Sequence, residues 1–356
     1  MPPHVRDVPI PGLEALVPEG RGQLARRVAV GVHRRGARDW AELDLSPRER
    51  SLLENRFEFG PLLRAAGDRV APDGTQKFLF ETRAGGLVET VLVRNRRSVT
   101  LCISSQVGCA FDCTFCATGR IGLRGHLSPG EITESVLLSE RAASVRVSDI
   151  VFMDQGEPFH NYDAVMDACT NLHSDVGACI ARKRITISTV GLVPQIRRYT
   201  GERRPWRLHL SLHSAIQETR AELMPVARRH PLPEVLDAMR EYQTERRIPW
   251  LTFQYIALPG VNMDDRHIDA LESGLQGLRV ILNVIPWNET GAAFRAPSWA
   301  EVKDFTTRLR RLRCPVKIRY SAGKQKGMGC GQLSAEAIAT PVTGGHLAAP
   351  PGIFTG

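Results

Sequence analysis

The chain has 356 residues, of which 42% are hydrophobic and 24% are charged, a composition typical of a folded globular protein and not of a disordered one. Lys and Arg exceed Asp and Glu by 47 to 38, which favours polyanionic partners without identifying one. No apolar run is long enough to cross a bilayer, and the N-terminus lacks a signal-peptide core, so we expect a cytoplasmic protein with no membrane partner.

Residues 1–68 predict a small helical accessory domain. Leu24, Val28 and Val32 recur at helical spacing, and Ser46 followed by Pro47 predicts the start of another short helix. Arginines surround the first of these helices. They form either a solvated basic face or a surface that contacts RNA.

Strand and helix signals alternate in residues 69–335. A hairpin around Gly85 and Gly86 comes first. The strands predicted after it are 99–104, 150–153, 185–189, 208–212, 251–257, 280–285 and 316–320, and capping boxes at Ser128 and Ser298 begin two of the intervening helices. Repeated β-then-α order predicts an α/β fold with a parallel sheet, open or closed as a barrel, and chemistry at the carboxyl ends of its strands. Residues 336–356 are rich in Ala, Pro and Gly and predict a disordered tail.

Three cysteines form the strongest chemical motif: Cys109, Cys113 and Cys116 follow a predicted strand directly. In a reducing compartment this spacing indicates metal or redox chemistry and not structural disulfides. Three thiolates can hold three irons of a 4Fe–4S cluster and leave the fourth iron open to S-adenosylmethionine (SAM), whose reductive cleavage yields a 5′-deoxyadenosyl radical. The alternative is a structural zinc site with His126 or another residue as fourth ligand. Zinc sites usually have two CxxC units, and the sequence lacks a second one.

The segment from Leu101 to Cys116, with Thr118-Gly119 after it, resembles the signature of the RlmN/Cfr family of radical-SAM RNA methyltransferases. The further matches, in the order known for that family, are Gly156-Glu157-Pro158 with Asn161, Ser211-Leu212-His213, Pro286-Trp287-Asn288 and Cys330-Gly331-Gln332-Leu333. The resemblance covers about residues 20–335. It implies a partial (β/α) barrel of the radical-SAM type and one 4Fe–4S cluster bound by the three clustered cysteines.

The resemblance also implies catalytic roles for three residues. Cys330 would accept a methyl group from one SAM and become the S-methylcysteine intermediate. Cys102 would resolve the resulting protein–RNA adduct through a transient disulfide with Cys330, and Glu89 would be the proton acceptor. Taken alone, Cys330 is a small residue before a glycine turn, and Cys102 is an ordinary buried strand cysteine.

The candidate SAM-binding residues lie at predicted strand ends, and those from Ser211 onward also match SAM positions of the family: Gly156, Glu157, Ser188, Ser211, Leu212, His213 and Asn288. Taken singly, each of these residues is common in turns. Together they follow successive predicted strands, so we expect them to lie at the same carboxyl-terminal edge of the sheet. The partners implied are an RNA substrate (ribosomal or transfer RNA) and an external reductant such as flavodoxin or ferredoxin. We expect the protein to be a monomer.

Two segments depart from the family pattern and leave the target open. Asp154-Gln155 stands where the family usually has Gly-Met, and the basic segment 324–329 replaces an acidic stretch before Cys330. The favoured target is carbon 2 of an adenosine in RNA, with carbon 8 possible. The alternatives are the same radical chemistry on a small molecule or peptide, and a non-catalytic cluster or zinc protein that binds RNA. Candidate RNA contacts are Arg26, Arg27, Arg182, Lys183, Arg184 and residues 324–326.

Overall fold

The computed structural model describes residues 2–17, 22–289 and 293–319. Its N-terminal part contains the helices α1 (Ile10–Leu16), α2 (Gly22–Ala29) and α3 (Pro47–Glu54). Leu24, Val28 and Val32 are buried together in the core of this part, as their helical spacing predicts. The Ser46 hydroxyl accepts a hydrogen bond from the Glu49 backbone N–H, and the Glu49 carboxylate accepts one from the Ser46 N–H, so a capping box begins α3.

Strands and helices alternate through the remainder of the described chain. The strands are β1 (Leu63–Val70), β2 (Gln76–Thr82), β3 (Leu87–Asn95), β4 (Ser98–Ile103), β5 (Gln106–Val107), β6 (Gly125–His126), β7 (Asp149–Phe152), β8 (Ile185–Thr189), β9 (Arg207–Ser211), β10 (Leu251–Ala257), β11 (Val280–Pro286) and β12 (Val316–Ile318). The helices are α4 (Pro129–Ala143), α5 (Tyr162–His173), α6 (Val193–Gly201), α7 (Gln217–Leu223), α8 (Leu232–Glu245), α9 (Asp265–Gly274) and α10 (Trp299–Arg308).

The main sheet of the described residues has the order β1-β2-β3-β4-β7-β8-β9-β10-β11-β12. The strands from β4 to β12 pair in parallel, with helices in the connections, whereas β1, β2 and β3 add an antiparallel extension to one side. The predicted α/β fold with a parallel sheet is confirmed, and so is the hairpin around Gly85 and Gly86. β5 and β6 form a separate two-stranded pair beside the sheet.

β1 begins at Leu63, before the predicted domain boundary at residue 68, so the helical part ends earlier than the prediction. β1 is an edge strand whose side chains are mostly exposed, so it lacks the apolar alternation from which a strand is recognised. Its pairing with β2 shifts register between Ala65 and Gly67, which marks a bulge.

Alternate strand residues face opposite sides of the sheet, and this alternation separates the core from a cavity. Leu210 of β9 and Phe253 of β10 are fully buried in the same hydrophobic core as Met239 of α8. Burial of such a side chain contributes about 1.5–3 kcal/mol. The next residue of each strand, Ser211 and Gln254, lines the cavity instead.

The helical part is joined to the sheet domain by backbone hydrogen bonds to side chains. The Gly130 N–H at the start of α4 donates to Asp7 Oδ1 at 2.9 Å, and the Ile10 N–H donates to Asn171 Oδ1 of α5 at 2.8 Å. In the part of the chain that the structure describes, no helix has the length and apolar character needed to span a bilayer.

Candidate active site

A cavity of about 510 Å³ opens at the carboxyl ends of the parallel strands. Strands β3, β4, β7, β8, β9, β10 and β11 all contribute residues to its wall, and Arg319 lines it directly after β12, so the sheet curves around the cavity. The predicted site residues that line the cavity are Cys102, Cys109, Cys113, Cys116, Gly156, Glu157, Ser188, Ser211, His213 and Asn288. A second cavity, of about 540 Å³, lies in the helical part beside α2 and contains none of these residues.

The cysteine loop is fixed by contacts from distant parts of the chain. Gly108 has φ +73°, and a Cβ there would lie 1.8 Å from the carbonyl oxygen of Gly122, so only glycine fits before Cys109. The Gly108 N–H donates to Gln155 Oε1 at 3.3 Å. On the other side of the loop, the Trp287 indole N–H donates to the Phe115 carbonyl at 2.9 Å.

Two of the three clustered thiols, Cys109 and Cys113, lie in an environment that disfavours free thiolates. Burial raises the pKa of Cys109 to about 12 and that of Cys113 well above its usual value, and negative charge on Cys116 adds to both shifts. A bound cation would reverse this preference, because metal binding releases thiol protons.

Three thiols on one loop are the number that a 4Fe–4S cluster with one open iron requires. Among the described residues, no three His, Cys, Asp or Glu side chains converge on a single ion. In a cubane each thiolate binds a different iron, so the three sulfurs surround the group and need not meet at one point. His126, the alternative zinc ligand, does not line the cavity, and its Nδ1 lies 3.1 Å from Gln106 Nε2.

Gly156 and Glu157 follow β7 and enter the cavity wall. Gly156 has φ +94°, and a Cβ there would lie 2.6 Å from the Gln106 Cβ. The Glu157 carboxylate accepts hydrogen bonds from the Phe159 N–H (3.0 Å) and the Val190 N–H (2.9 Å). Burial raises the pKa of Glu157 to about 7, and a ligand ammonium beside it would favour the ionised form.

The next strand ends supply neutral polar groups. The hydroxyl oxygens of Ser188 and Ser211 lie 3.3 Å apart. His213 adopts φ +58°, and its Nδ1 accepts a hydrogen bond from the Ile256 N–H at 3.1 Å, while burial lowers its pKa to about 3. Leu212 is buried in the core and does not line the cavity. Its packing in the core fixes the positions of Ser211 and His213 in the cavity wall.

The three catalytic candidates differ in position. Cys102 lines the cavity and pairs with Val91 in the neighbouring strand. Glu89 lies two residues before Val91 on the same face, but it does not line the cavity and is fully buried, with Oε2 2.8 Å from the equally buried Lys77 Nζ. Cys330 lies outside the described residues, as do segment 324–329 and the predicted tail, 336–356.

Arg220 of α7 is a site residue that sequence reasoning missed. Its fully buried guanidinium donates to the carbonyl oxygens of Val190 (2.5 Å) and Leu212 (3.2 Å), so it joins the segments after β8 and β9. Burial lowers its pKa to about 10, which leaves it charged at neutral pH. An isolated arginine on a short helix ordinarily faces solvent, so the sequence carries no signal for this role.

Comparisons with known proteins agree with this geometry. Residues 103–271 match the Radical SAM superfamily. The dual-specificity RNA methyltransferase RlmN of Syntrophobacter fumaroxidans is 41% identical over 342 residues, which cover 94% of this chain and 99% of that protein. A probable RNA methyltransferase of Myxococcus xanthus is 38% identical, with 82% and 81% of the two chains covered. The crystal structure of a radical SAM methyltransferase from Sphaerobacter thermophilus superposes with a TM-score of 0.84 at 36% identity, over 93% of this chain and 99% of that one. The chain therefore belongs to the RlmN family of radical-SAM methyltransferases.

Proposed function

We propose that this protein uses a 4Fe–4S cluster and SAM to place a methyl group on an adenine ring carbon of RNA, carbon 2 in preference to carbon 8. The observation that carries the proposal is one cavity lined by the three clustered cysteines, Cys102 and the strand-end residues Glu157 and Ser211. The relatives named RNA methyltransferases support an RNA substrate, either ribosomal or transfer RNA. An external reductant such as flavodoxin or ferredoxin supplies the electrons.

Different residues of the cavity bind the cluster and SAM. Cys109, Cys113 and Cys116 would hold the cluster, which would supply the electron for the cleavage of SAM. The Glu157 carboxylate binds the SAM ammonium group. Hydrogen bonds from two backbone N–H groups hold this carboxylate in the cavity wall. Ser211 and the other strand-end residues orient the remainder of SAM.

One catalytic cysteine carries the methyl group, and the other releases the methylated product. Cys330 carries the methyl group that is activated and added to the adenine, and the product is then still joined to the Cys330 sulfur. The Cys102 thiolate attacks that sulfur, the sulfur–carbon bond breaks, and the carbon leaves with the electron pair and takes up a proton to become the methyl group of the base. The transient disulfide between Cys102 and Cys330 is then reduced to two thiols by the external reductant. The position of Cys102 on the cavity wall supports this role, since the attacking sulfur has to reach an adduct held in the cavity.

Two variants test the scheme. Cys330→Ala should abolish methylated RNA but retain iron content and reductive SAM cleavage, because Cys330 is not an iron ligand in this proposal. Cys102→Ala should accumulate a covalent protein–RNA adduct that is visible on a denaturing gel. Loss of iron in the first variant, or normal turnover without an adduct in the second, would contradict the assigned roles.

The target is tested separately. Ribosomal and transfer RNA from cells with and without the gene are digested and compared by mass spectrometry. A methyladenosine present only with the gene identifies the nucleotide and the ring carbon. Unchanged RNA, together with methylation of a peptide or small molecule by the purified enzyme, would favour the alternative substrate.

A further inference from the structure

The wall between β9 and β10 carries a polar residue to which the family resemblance gives no role. Gln254 stands beside Ser211 in the parallel register of these strands. It is 2% exposed and lines the cavity. Its backbone carbonyl accepts hydrogen bonds from the Leu212 and His213 N–H groups (3.0 and 3.2 Å), so its position relative to the strand-end motif is fixed.

His209, two residues before Ser211 in β9, determines the orientation of the Gln254 side-chain amide. Gln254 Nε2 lies 3.1 Å from Nδ1 of His209. Burial, with a further contribution from the positive charges of Arg319 and Arg207, lowers the pKa of His209 to about 3, so the ring is neutral. With its proton on Nε2, this ring accepts the amide N–H at Nδ1, and Oε1 of Gln254 is then directed away from His209.

The Oε1 atom is left without a partner. It is buried, and no donor among residues 2–17, 22–289 and 293–319 forms a hydrogen bond to it. A buried acceptor of this kind is costly unless a donor reaches it. The side chain lines the cavity that also contains the Ser188–Ser211 hydroxyl pair, so a ligand in the cavity can supply that donor.

We propose that Gln254 recognises a nucleoside: its Oε1 accepts a hydrogen bond from an amino or hydroxyl group of an adenosine in the cavity, and His209 holds the amide in the orientation that presents this oxygen. The inference rests on the proposed function, which brings two adenosines to the cavity, one in SAM and one in the RNA target. Both adenosines carry amino and hydroxyl donors, and the experiment below distinguishes which of the two Gln254 contacts.

The test compares Gln254→Met with Gln254→Glu in the full-length enzyme reconstituted with iron and sulfide. Methionine removes the acceptor at similar volume, whereas the carboxylate retains an acceptor and has no N–H. SAM affinity is measured by equilibrium dialysis without reductant, so that SAM is not cleaved. The KM for RNA is measured from methyl transfer at saturating SAM. Gln276→Met, on an exposed residue outside the cavity, is the matched control.

Gln254→Met should weaken one nucleoside by about tenfold, the typical effect of losing one hydrogen bond. A rise in the SAM dissociation constant assigns the adenosine to SAM, and a rise in the KM for RNA alone assigns it to the target. Gln254→Glu should stay within about threefold of the wild type. If both substitutions weaken the same nucleoside equally, the amide N–H faces the ligand and the proposal is overturned. It is also overturned if Gln254→Met matches the control in both assays, because water then satisfies Oε1.

The role of His209 is tested by rescue. His209→Ala frees the amide to rotate and should weaken the same nucleoside. Adding Gln254→Glu to His209→Ala should restore affinity, because a carboxylate presents an oxygen in either orientation. A purely structural role for His209 predicts no restoration. Folding is checked by circular dichroism for each variant. If wild-type enzyme binds SAM but methylates no RNA, the proposed function fails, while the SAM-binding comparison still decides the role of Gln254.

Discussion

The polar groups in and behind the cavity wall differ between the β3 side and the β8–β10 side. Beneath the β3 side, Lys77 and Glu89 form a charged pair in which both side chains are fully buried. On the β8–β10 side, Ser188, Ser211 and Gln254 are neutral. Buried charge is expensive to keep, whereas neutral groups bind a ligand at lower cost. The proton-acceptor role predicted for Glu89 would fall on the charged side, and the SAM contacts proposed for Ser211 fall on the neutral side.

The largest expected effect is on the charged side. Lys77→Met leaves the Glu89 carboxylate buried without its cation, and breaking such a pair typically costs about 3–5 kcal/mol in the free energy of unfolding. Urea unfolding of the purified protein at neutral pH measures the loss. Adding Glu89→Gln should recover most of this stability, because the uncompensated charge is removed, but it should not recover methylation.

An exposed pair in the adjoining β1–β2 hairpin is the matched control for this substitution. Arg64 pairs with Glu81 between β1 and β2, and their side chains are 76% and 29% exposed. Arg64→Met should cost less than about 1 kcal/mol. Equal losses in Lys77→Met and Arg64→Met would mean that burial does not distinguish the pairs, and the comparison between the two sides would lose its basis.

Glu157 lies between the two sides and should show a pH-dependent effect of intermediate size. Its pKa is raised by burial from 4.5 to about 7, so the folded state retains a proton that the unfolded state has lost between these values. Stability should therefore fall as pH rises through this window. The difference between wild type and Glu157→Gln in unfolding free energy should change by about 2–3 kcal/mol between pH 5 and pH 8.

SAM binding should respond to the same titration with the opposite sign. The ammonium group of SAM prefers the ionised carboxylate, so wild-type affinity should rise from pH 6 to pH 8. Glu157→Gln has no charge to gain, and its affinity should vary less with pH. Parallel pH profiles for the two proteins in equilibrium dialysis would show that the Glu157 carboxylate does not contact the SAM ammonium group.

The smallest expected effect is on the neutral side. Ser211→Ala removes one hydroxyl from the cavity wall, and the SAM dissociation constant should rise by about two- to tenfold. Ser273→Ala, on an exposed residue of α9, is the control and should leave binding unchanged. Indistinguishable dissociation constants for these two variants would remove Ser211 from the SAM site.

Local signals in the sequence predicted the parts of the fold that depend on neighbouring residues. The strands 185–189 and 251–257 agree with β8 and β10, and the capping boxes at Ser128 and Ser298 begin α4 and α10. The strand-end motifs could also be placed at one mouth, because all carboxyl ends of a parallel sheet meet there.

Contacts between distant segments could not be predicted in this way. The Lys77–Glu89 pair depends on the register of β2 against β3, and the Gln254–His209 contact depends on that of β10 against β9. Arg220 reaches its carbonyl partners only because α7 folds back on the strand ends. Each of these side chains alone looks like an ordinary polar residue, and its burial follows from packing.

The bulge and the charges of β1 have a consequence for how the protein behaves at high concentration. An open sheet exposes unpaired backbone groups at its edge, where a strand of another molecule can add. On β1, the register shift after Ala65 twists this edge, and Arg64, Asp68 and Arg69 place exposed charges along it. Both devices discourage strand addition, so replacing these charges with valine should promote self-association without altering the cavity.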